Sequence, residues 1–263
     1  WMNIPAFLLF IIYLFSSTVR VPFFVDLSRP QDVLNHTCSF HLNTEEDVWV
    51  GVWHTLPASQ WEAASGRGAD WFQEALGDGR PVIIYLHGNV GTRTNVNVLI
   101  CDPQVLSAAG FHVLSLDYRG FGDSSGDPSE AGLTSDALYL QQWARARSGG
   151  GPVILWGHSL GSGVATNAAV RLQDAGGRGY TLHSVVMVTN LKTLTCPLLL
   201  LHAEDDAVVP HHMGLQVRLG EHAPVTMVSY RAELGFSHSS IHLDPSLPAT
   251  VQKFVQNLRG TTT

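Results

Sequence analysis

Gly157-His158-Ser159-Leu160-Gly161 follows the apolar run Pro152 to Trp156 and precedes the small-residue run Ser162 to Val170. That order reads as a buried strand, a sharp turn with Ser159 at its tip, and a helix close behind. The outer glycines suit a turn so tight that the strand and helix backbones nearly touch. A serine placed there lifts its hydroxyl above the sheet, with a helix N-terminus beneath it. This is the G-x-S-x-G nucleophile elbow in the strand–turn–helix setting that gives it meaning. Glycine makes up 25 of 263 residues, so the pattern alone would carry little; the flanking runs decide it.

Outward from the elbow, Pro81–Leu86 (PVIIYL), Phe111–Leu116 and Pro197–Leu201 (PLLLL) are continuous apolar runs, as in strands covered on both faces. Asp47–Thr55 alternates instead, with Val48, Val50 and Val52 on one face and Trp49 and Trp53 on the other. His183–Thr189 (HSVVMVT) and Val225–Tyr230 complete the strand set. Helices are expected over Thr92–Ala109, interrupted near Pro103, and over Glu130–Arg147, His211–Leu219 and Pro245–Leu258. Leu133, Ala137, Leu140 and Ala144 recur at helical spacing, as do the inward Val251, Phe254, Val255 and Leu258. Pro57–Asp78, rich in Gly, Ala and Ser, reads as a surface excursion. Alternating strands and helices imply an α/β domain over residues 26–263, built on a doubly wound, mostly parallel sheet.

A chain of 263 residues suits one large α/β domain. The net charge of -7 and the lack of a basic block argue against nucleic acid as a partner. Only 14% of residues are charged and 45% are hydrophobic, which points toward a lipid or membrane. Ile4 to Phe15 is apolar apart from Tyr13, but shorter than the roughly 20 residues that span a bilayer. The chain starts at Trp1 rather than Met, and residues 1–25 are read as the remnant of a membrane anchor with its juxtamembrane segment. A signal-peptide core and a buried helix are the alternatives. Asn35-His36-Thr37 fits the N-glycosylation acceptor pattern, and gains weight from the apolar segment before it. Cys38, Cys101 and Cys196 are scattered and form neither a metal motif nor a disulfide framework. His183, His202, His211, His212 and His222 match no metal-ligand spacing, so no metal or cofactor is expected.

Acyl transfer from a serine needs a base to take its proton and an acid to orient that base. On this architecture the three come in the chain order Ser, acid, His. After Ser159, three adjacent acids, Glu204, Asp205 and Asp206, follow the PLLLL strand, and His238 and His242 follow the last strand. Each stands at the carboxyl end of a strand, where α/β sheets gather their ligands. We take Asp206 as the acid and His238, nearer the strand, as the base. Backbone N–H groups of Leu160 and of Asn89 or Val90, in the Gly-rich loop His87-Gly88-Asn89-Val90-Gly91, would form the oxyanion hole. Arg119 and the acids of Asp117–Ser124 are expected to form a local structural network.

His87-Gly88-Asn89, Tyr118-Arg119-Gly120-Phe121-Gly122-Asp123-Ser124, the elbow and His202-Ala203-Glu204-Asp205-Asp206-Ala207-Val208-Val209-Pro210 resemble the serine α/β hydrolases. More narrowly, they resemble the alpha/beta-hydrolase-domain-containing 12 group of lysophospholipid and monoacylglycerol lipases. Val21–Leu27, Gly51–Thr55, Ala144–Gly149 and Gly163–Asn167 support the narrower match, which covers nearly the whole chain. The resemblance assigns the acid to Asp206, in an H-x-x-x-D-x-x-V-P stretch, and the base to His238. It implies cleavage of the fatty-acyl esters of lysophosphatidylserine or of monoacylglycerols. It also implies an anchor in the endoplasmic-reticulum membrane, a lumenal catalytic domain and glycosylation. The chain departs from the family between Thr189 and Pro197. Seven residues lie there, fewer than the dozen a parallel crossover needs, and the helical cap is missing between Asn190 and Leu191. One consequence would be an open site with weak selectivity for chain length. The other would be an Asp206 unable to reach His238, hence an impaired relative. A thioesterase acting on acylated protein is a further alternative.

Overall fold

Strands form at Thr37–Glu45 (β1), Val48–Thr55 (β2), Val82–Leu86 (β3), His112–Leu116 (β4), Val153–Gly157 (β5), Tyr180–His183 (β6), Leu198–Ala203 (β7) and Val225–Tyr230 (β8). The structure is a computed structural model that describes residues 25–89, 91–94, 103–176, 180–183, 194–218 and 224–260. All these strands join one sheet in the order β1-β2-β4-β3-β5-β6-β7-β8. β2 runs antiparallel to β1 and β4, and the rest of the sheet is parallel. Helices lie at Ala69–Ala75 (α1), Pro103–Ala108 (α2), Glu130–Arg147 (α3), Leu160–Asp174 (α4), His211–Arg218 (α5) and Leu247–Gly260 (α6).

The continuous apolar runs are needed because each central strand is covered on both faces. Val82, Ile84, Leu86, Leu114, Leu116, Val153 and Leu155 point to one side, against Leu133, Ala137 and Leu140 of α3 and Val164 and Ala168 of α4. Ile83, Tyr85, Val113, Ile154 and Trp156 point to the other, against Leu106 of α2 and Val251, Phe254, Val255 and Leu258 of α6. Successive strand residues alternate between the two sets, as the two-residue period of a pleated strand demands. Burying each such Leu, Ile or Phe side chain contributes roughly 1.5–3 kcal/mol. α3 starts where Ser129 Oγ accepts the Gly132 N–H, and its last turn carries Arg145 and Arg147, which favour the helix dipole. In β2, Val50 and Val52 are buried as their alternation implies. Trp53 is buried too, donating its Nε1–H to the Leu27 carbonyl, while Trp49 stays exposed.

Register decides where the strands end. Leu86 lies beside Leu116 and Gly157, so β3, β4 and β5 stop level and their loops open on one rim. Gly157 also faces His183, which places the end of β6 on the same line. The sixth strand is described over Tyr180–His183, three residues ahead of the expected start; residues 184–189 of the expected run lie outside the described residues. The segment that joins β6 to β7 falls mostly outside the described residues. Thr181–His183 nonetheless pair in parallel with Leu198–Leu200, so the two strands are neighbours despite the expected obstacle to joining them. The cap boundary expected at Asn190 and Leu191 lies outside the described residues, as do residues 1–24 of the expected anchor segment.

Two further expectations change. Residues 57–78 are more than an excursion, because α1 forms there and Phe72 packs with Leu56 and Ala64. The helix expected from Thr92 is described only at Pro103–Ala108, and Thr92, Arg93 and Thr94 are buried in a tight turn. Among the described residues no helix is long and apolar enough to cross a membrane.

Candidate active site

Close backbone approach builds the elbow. A Cβ on Gly157 would lie 2.3 Å from the Gly161 carbonyl oxygen, and one on Gly161 would lie 1.9 Å from that of Leu86. Only glycine fits at either position. Ser159, between them, takes φ 51° and ψ −117°, a conformation a non-glycine residue holds only when its surroundings enforce it. Ser162 contributes by donating both its N–H and its Oγ–H to the Ser159 carbonyl, at 2.9 and 2.6 Å. Leu160 opens α4, so its N–H is among the four that a helix leaves without an intrahelical acceptor.

The Gly-rich loop lies against this turn: a Cβ on Gly88 would stand 3.3 Å from Ser159 Cβ. His87 Nδ1–H donates to the Gly88 carbonyl at 2.8 Å, and the Tyr118 hydroxyl donates to the His87 carbonyl at 3.1 Å. Burial pushes the His87 imidazole down to about 4, so it is neutral. Asn89 follows, its Oδ1 buried without a hydrogen-bond partner among the described residues. Val90, the other oxyanion candidate, lies outside them.

Arg93, which sequence reasoning did not single out, pins the far end of this loop. It is fully buried, and its guanidinium meets Asp117 Oδ2 at 3.0 Å, Asp123 Oδ2 at 2.9 Å and the Leu27 carbonyl at 3.3 Å. Its backbone N–H donates to Asp117 Oδ1. The acids near Arg119 are thus claimed by Arg93. Arg119 itself turns to Asp136 at 2.8 Å and Glu45 at 2.9 Å, so its role is structural but its partners are not the local ones.

Asp206 and His238 come together. The His238 Nδ1–H donates to Asp206 at 3.0 Å to Oδ2 and 3.1 Å to Oδ1. The alternative in which Asp206 cannot reach His238 is therefore not what the structure shows. Asp206 Oδ1 also accepts the Val208 and Val209 N–H groups, both at 2.8 Å. Burial works against its charge, but the neighbouring His202 imidazole and the bonds from His238 and the Val209 N–H outweigh it and hold the carboxyl well below the usual range. His202 Nε2 sits 3.6 Å from Asp206 and donates to the Val209 carbonyl at 2.9 Å. The other two acids have lesser tasks. Asp205 accepts the N–H of Ser237, whose φ is +48°, and so shapes the turn carrying His238. Glu204 accepts the Ala232 N–H at 3.4 Å. His242 donates to the Ser239 carbonyl and takes no part in the pair. His238 reaches the elbow through His158, whose Nε2–H donates to the His238 carbonyl at 3.2 Å.

An α/β hydrolase fold family matches residues 81–175. A lysophosphatidylserine lipase ABHD12 of Gallus gallus is 42% identical over 289 residues, covering 92% of this chain and 76% of the relative. Human protein ABHD12B is 38% identical, covering 90% and 77%. The chain belongs to the ABHD12 family of α/β hydrolases.

A stretch of 289 matched residues exceeds the 263 of this chain, so the ABHD12 relative holds segments that it lacks. Solved structures show the same fold at low identity. The Pyrococcus furiosus esterase Pf2001 superposes with a TM-score of 0.65 at 16% identity, covering 90% of this ABHD12-family chain and 95% of the esterase. A Xanthomonas campestris α/β serine hydrolase described as lacking a lid gives 0.61 at 18%, covering 85% and 95%.

Proposed function

We propose that this chain is a serine hydrolase that cleaves the fatty-acyl ester of lysophosphatidylserine or of a monoacylglycerol through an acyl-enzyme. The observation that carries the reading is the 3.0 Å contact of His238 Nδ1 with a buried Asp206, on the rim where the elbow presents Ser159. Asp206 orients the imidazole so that Nε2 faces outward as a base. The Ser159 hydroxyl attacks the ester carbonyl while His238 takes its proton. N–H groups of Leu160 and of the Asn89 loop receive the developing oxyanion, each worth roughly 3 kcal/mol. Collapse of the intermediate expels the alcohol, to which His238 returns the proton. Water, deprotonated by His238, then releases the fatty acid and restores Ser159.

The names of the ABHD12 relatives support lysophosphatidylserine as the first substrate to try. The same reading puts the protein on the endoplasmic-reticulum membrane with this domain in the lumen and Asn35 glycosylated. The exposed position of Asn35, at the turn into β1, supports the last point. A mobility shift on peptide-N-glycosidase treatment, lost in Asn35→Gln, tests it.

A fluorophosphonate probe should label the wild type and leave Ser159→Ala unlabelled; robust labelling of that variant removes Ser159 from the mechanism. Turnover of lysophosphatidylserine, monoacylglycerol and an S-acylated peptide, measured side by side, ranks the substrates. A well-folded wild type that neither labels nor turns over any of them is the impaired relative instead.

A further inference from the structure

The imidazole of His158 touches two other loops of the site, yet the hydrolytic mechanism gives it no task. On one side its Nε2–H donates to the backbone carbonyl of His238 at 3.2 Å, and the two rings lie 5.2 Å apart. On the other, a Cβ on Gly88 would stand 3.0 Å from His158 Nδ1, so the ring lies against the Gly88 backbone. His158 itself belongs to the elbow, its N–H donating to the Leu86 carbonyl at 3.0 Å. Three separate chain segments, carrying the base, the nucleophile and the oxyanion donors, thus meet at one buried ring.

We propose that His158 is a positioning residue that sets the spacing between the His238 loop, the Ser159 turn and the Gly88 loop. The proposal rests on the hydrolase reading above. Its physical basis is a rigid spacer with one directional bond. The carbonyl of His238 lies on the same residue as the base, so fixing it leaves little backbone freedom beyond the side chain that Asp206 already orients. The ring does this in its neutral form. Facing a carbonyl, Nε2 carries the proton, and Nδ1 keeps its lone pair toward Gly88. Burial, with His238 alongside, pushes the His158 imidazole down to about 3. A neutral ring places no second positive charge beside the imidazolium that His238 becomes during acyl transfer.

The test compares wild type, His158→Leu and His158→Gln, with p-nitrophenyl butyrate turnover, fluorophosphonate labelling rate and thermal melting as readouts. Leu fills the space without a donor, whereas Gln can present an N–H toward the same carbonyl. In the Leu variant kcat is expected to fall by about 30-fold with KM changed less than about two-fold, because misplaced groups lose rate rather than binding. The labelling rate should fall in parallel. Gln should restore most of the loss, to within about three-fold of the wild type, without melting higher than Leu. A folded Leu variant with wild-type kcat overturns the proposal. So does a Gln variant as slow as Leu. If Leu does not fold, the Gln comparison with wild type decides alone, a loss above about ten-fold counting against the spacer role. A wild type without turnover overturns the hydrolase reading and this inference together; an active wild type indifferent to Leu overturns the inference only.

Discussion

The guanidinium of Arg93 and the carboxylate of Asp117 meet at 3.0 Å with neither side chain exposed to solvent. Removing one charge of such a pair leaves the other buried without compensation, at a cost of about 3–5 kcal/mol. Arg93→Met should therefore lose stability on that scale. The double variant Arg93→Met with Asp117→Asn should lose less than the two single losses added, because no fully buried bare charge remains. Urea denaturation of the four proteins closes the cycle; additive losses would deny the coupling. Arg93 also holds the end of the His87–Asn89 loop, so the single variant should slow acyl transfer as well.

The elbow glycines separate steric need from helix propensity. Gly161→Ala would drive a methyl to 1.9 Å from the Leu86 carbonyl oxygen, a backbone atom of β3 that has nowhere to go. Gly163, two residues on in the same helix, has nothing within 4 Å of its own Cβ position. Gly163→Ala should gain about 0.5–1 kcal/mol, as alanine does in helix interiors, whereas Gly161→Ala should be destabilising by several times that. Melting temperatures of the two variants check the ranking, and equal behaviour would contradict the close contact.

The parts of this site legible in the sequence were those encoded by short, local signals. Ser159 was legible from its flanking strand and helix, and Asp206 and His238 from their order after apolar runs. Arg93 was not. It lies in a stretch of weak periodicity, and its partners Asp117 and Asp123 come from a turn 24 and 30 residues later. His158 sits inside the motif, but the pattern treats its position as free, and its contact is 80 residues away. The start of β6 is hidden for a related reason. Tyr180-Thr181-Leu182 precede the valine-rich run, and only their pairing with Ile154, Leu155 and Trp156 marks them as strand.

Buried imidazoles make the fold sensitive to acid. Burial holds His87 at about 4 and His158 at about 3, and pushes His54 well below its ordinary range. Between pH about 6.5 and those values the unfolded chain binds protons that the folded one does not, so stability is fully present above 6.5 and falls as pH drops. Each such group contributes a slope of about 1.4 kcal/mol per pH unit. Asp117 opposes one of them, since burial pushes its carboxyl up to about 6 and the folded state takes up a proton there. Net destabilisation on acidification follows. In His87→Asn, the Asn Nδ2 can still donate to the Gly88 carbonyl but does not titrate. Urea midpoints at pH 7, 6 and 5 should therefore flatten by about one group's slope; an unchanged pH dependence would refute the assignment.

The three adjacent acids should separate cleanly in turnover. Asp206 is the one bonded to His238 Nδ1, so Asp206→Asn presents an amide where the imidazole needs a carboxylate, and kcat should fall by about 10⁴. Asp205→Ala removes the acceptor of the Ser237 N–H and loosens the turn that carries the base without touching the ring, so a loss nearer ten-fold is expected. Glu204→Gln keeps an oxygen for the Ala232 N–H and should leave kcat within about two-fold. Measured on one ester substrate with labelling as a second readout, the order Asp206, Asp205, Glu204 is the prediction. A larger loss at Asp205 than at Asp206 would move the acid one residue along the loop and undo the pairing on which the mechanism stands.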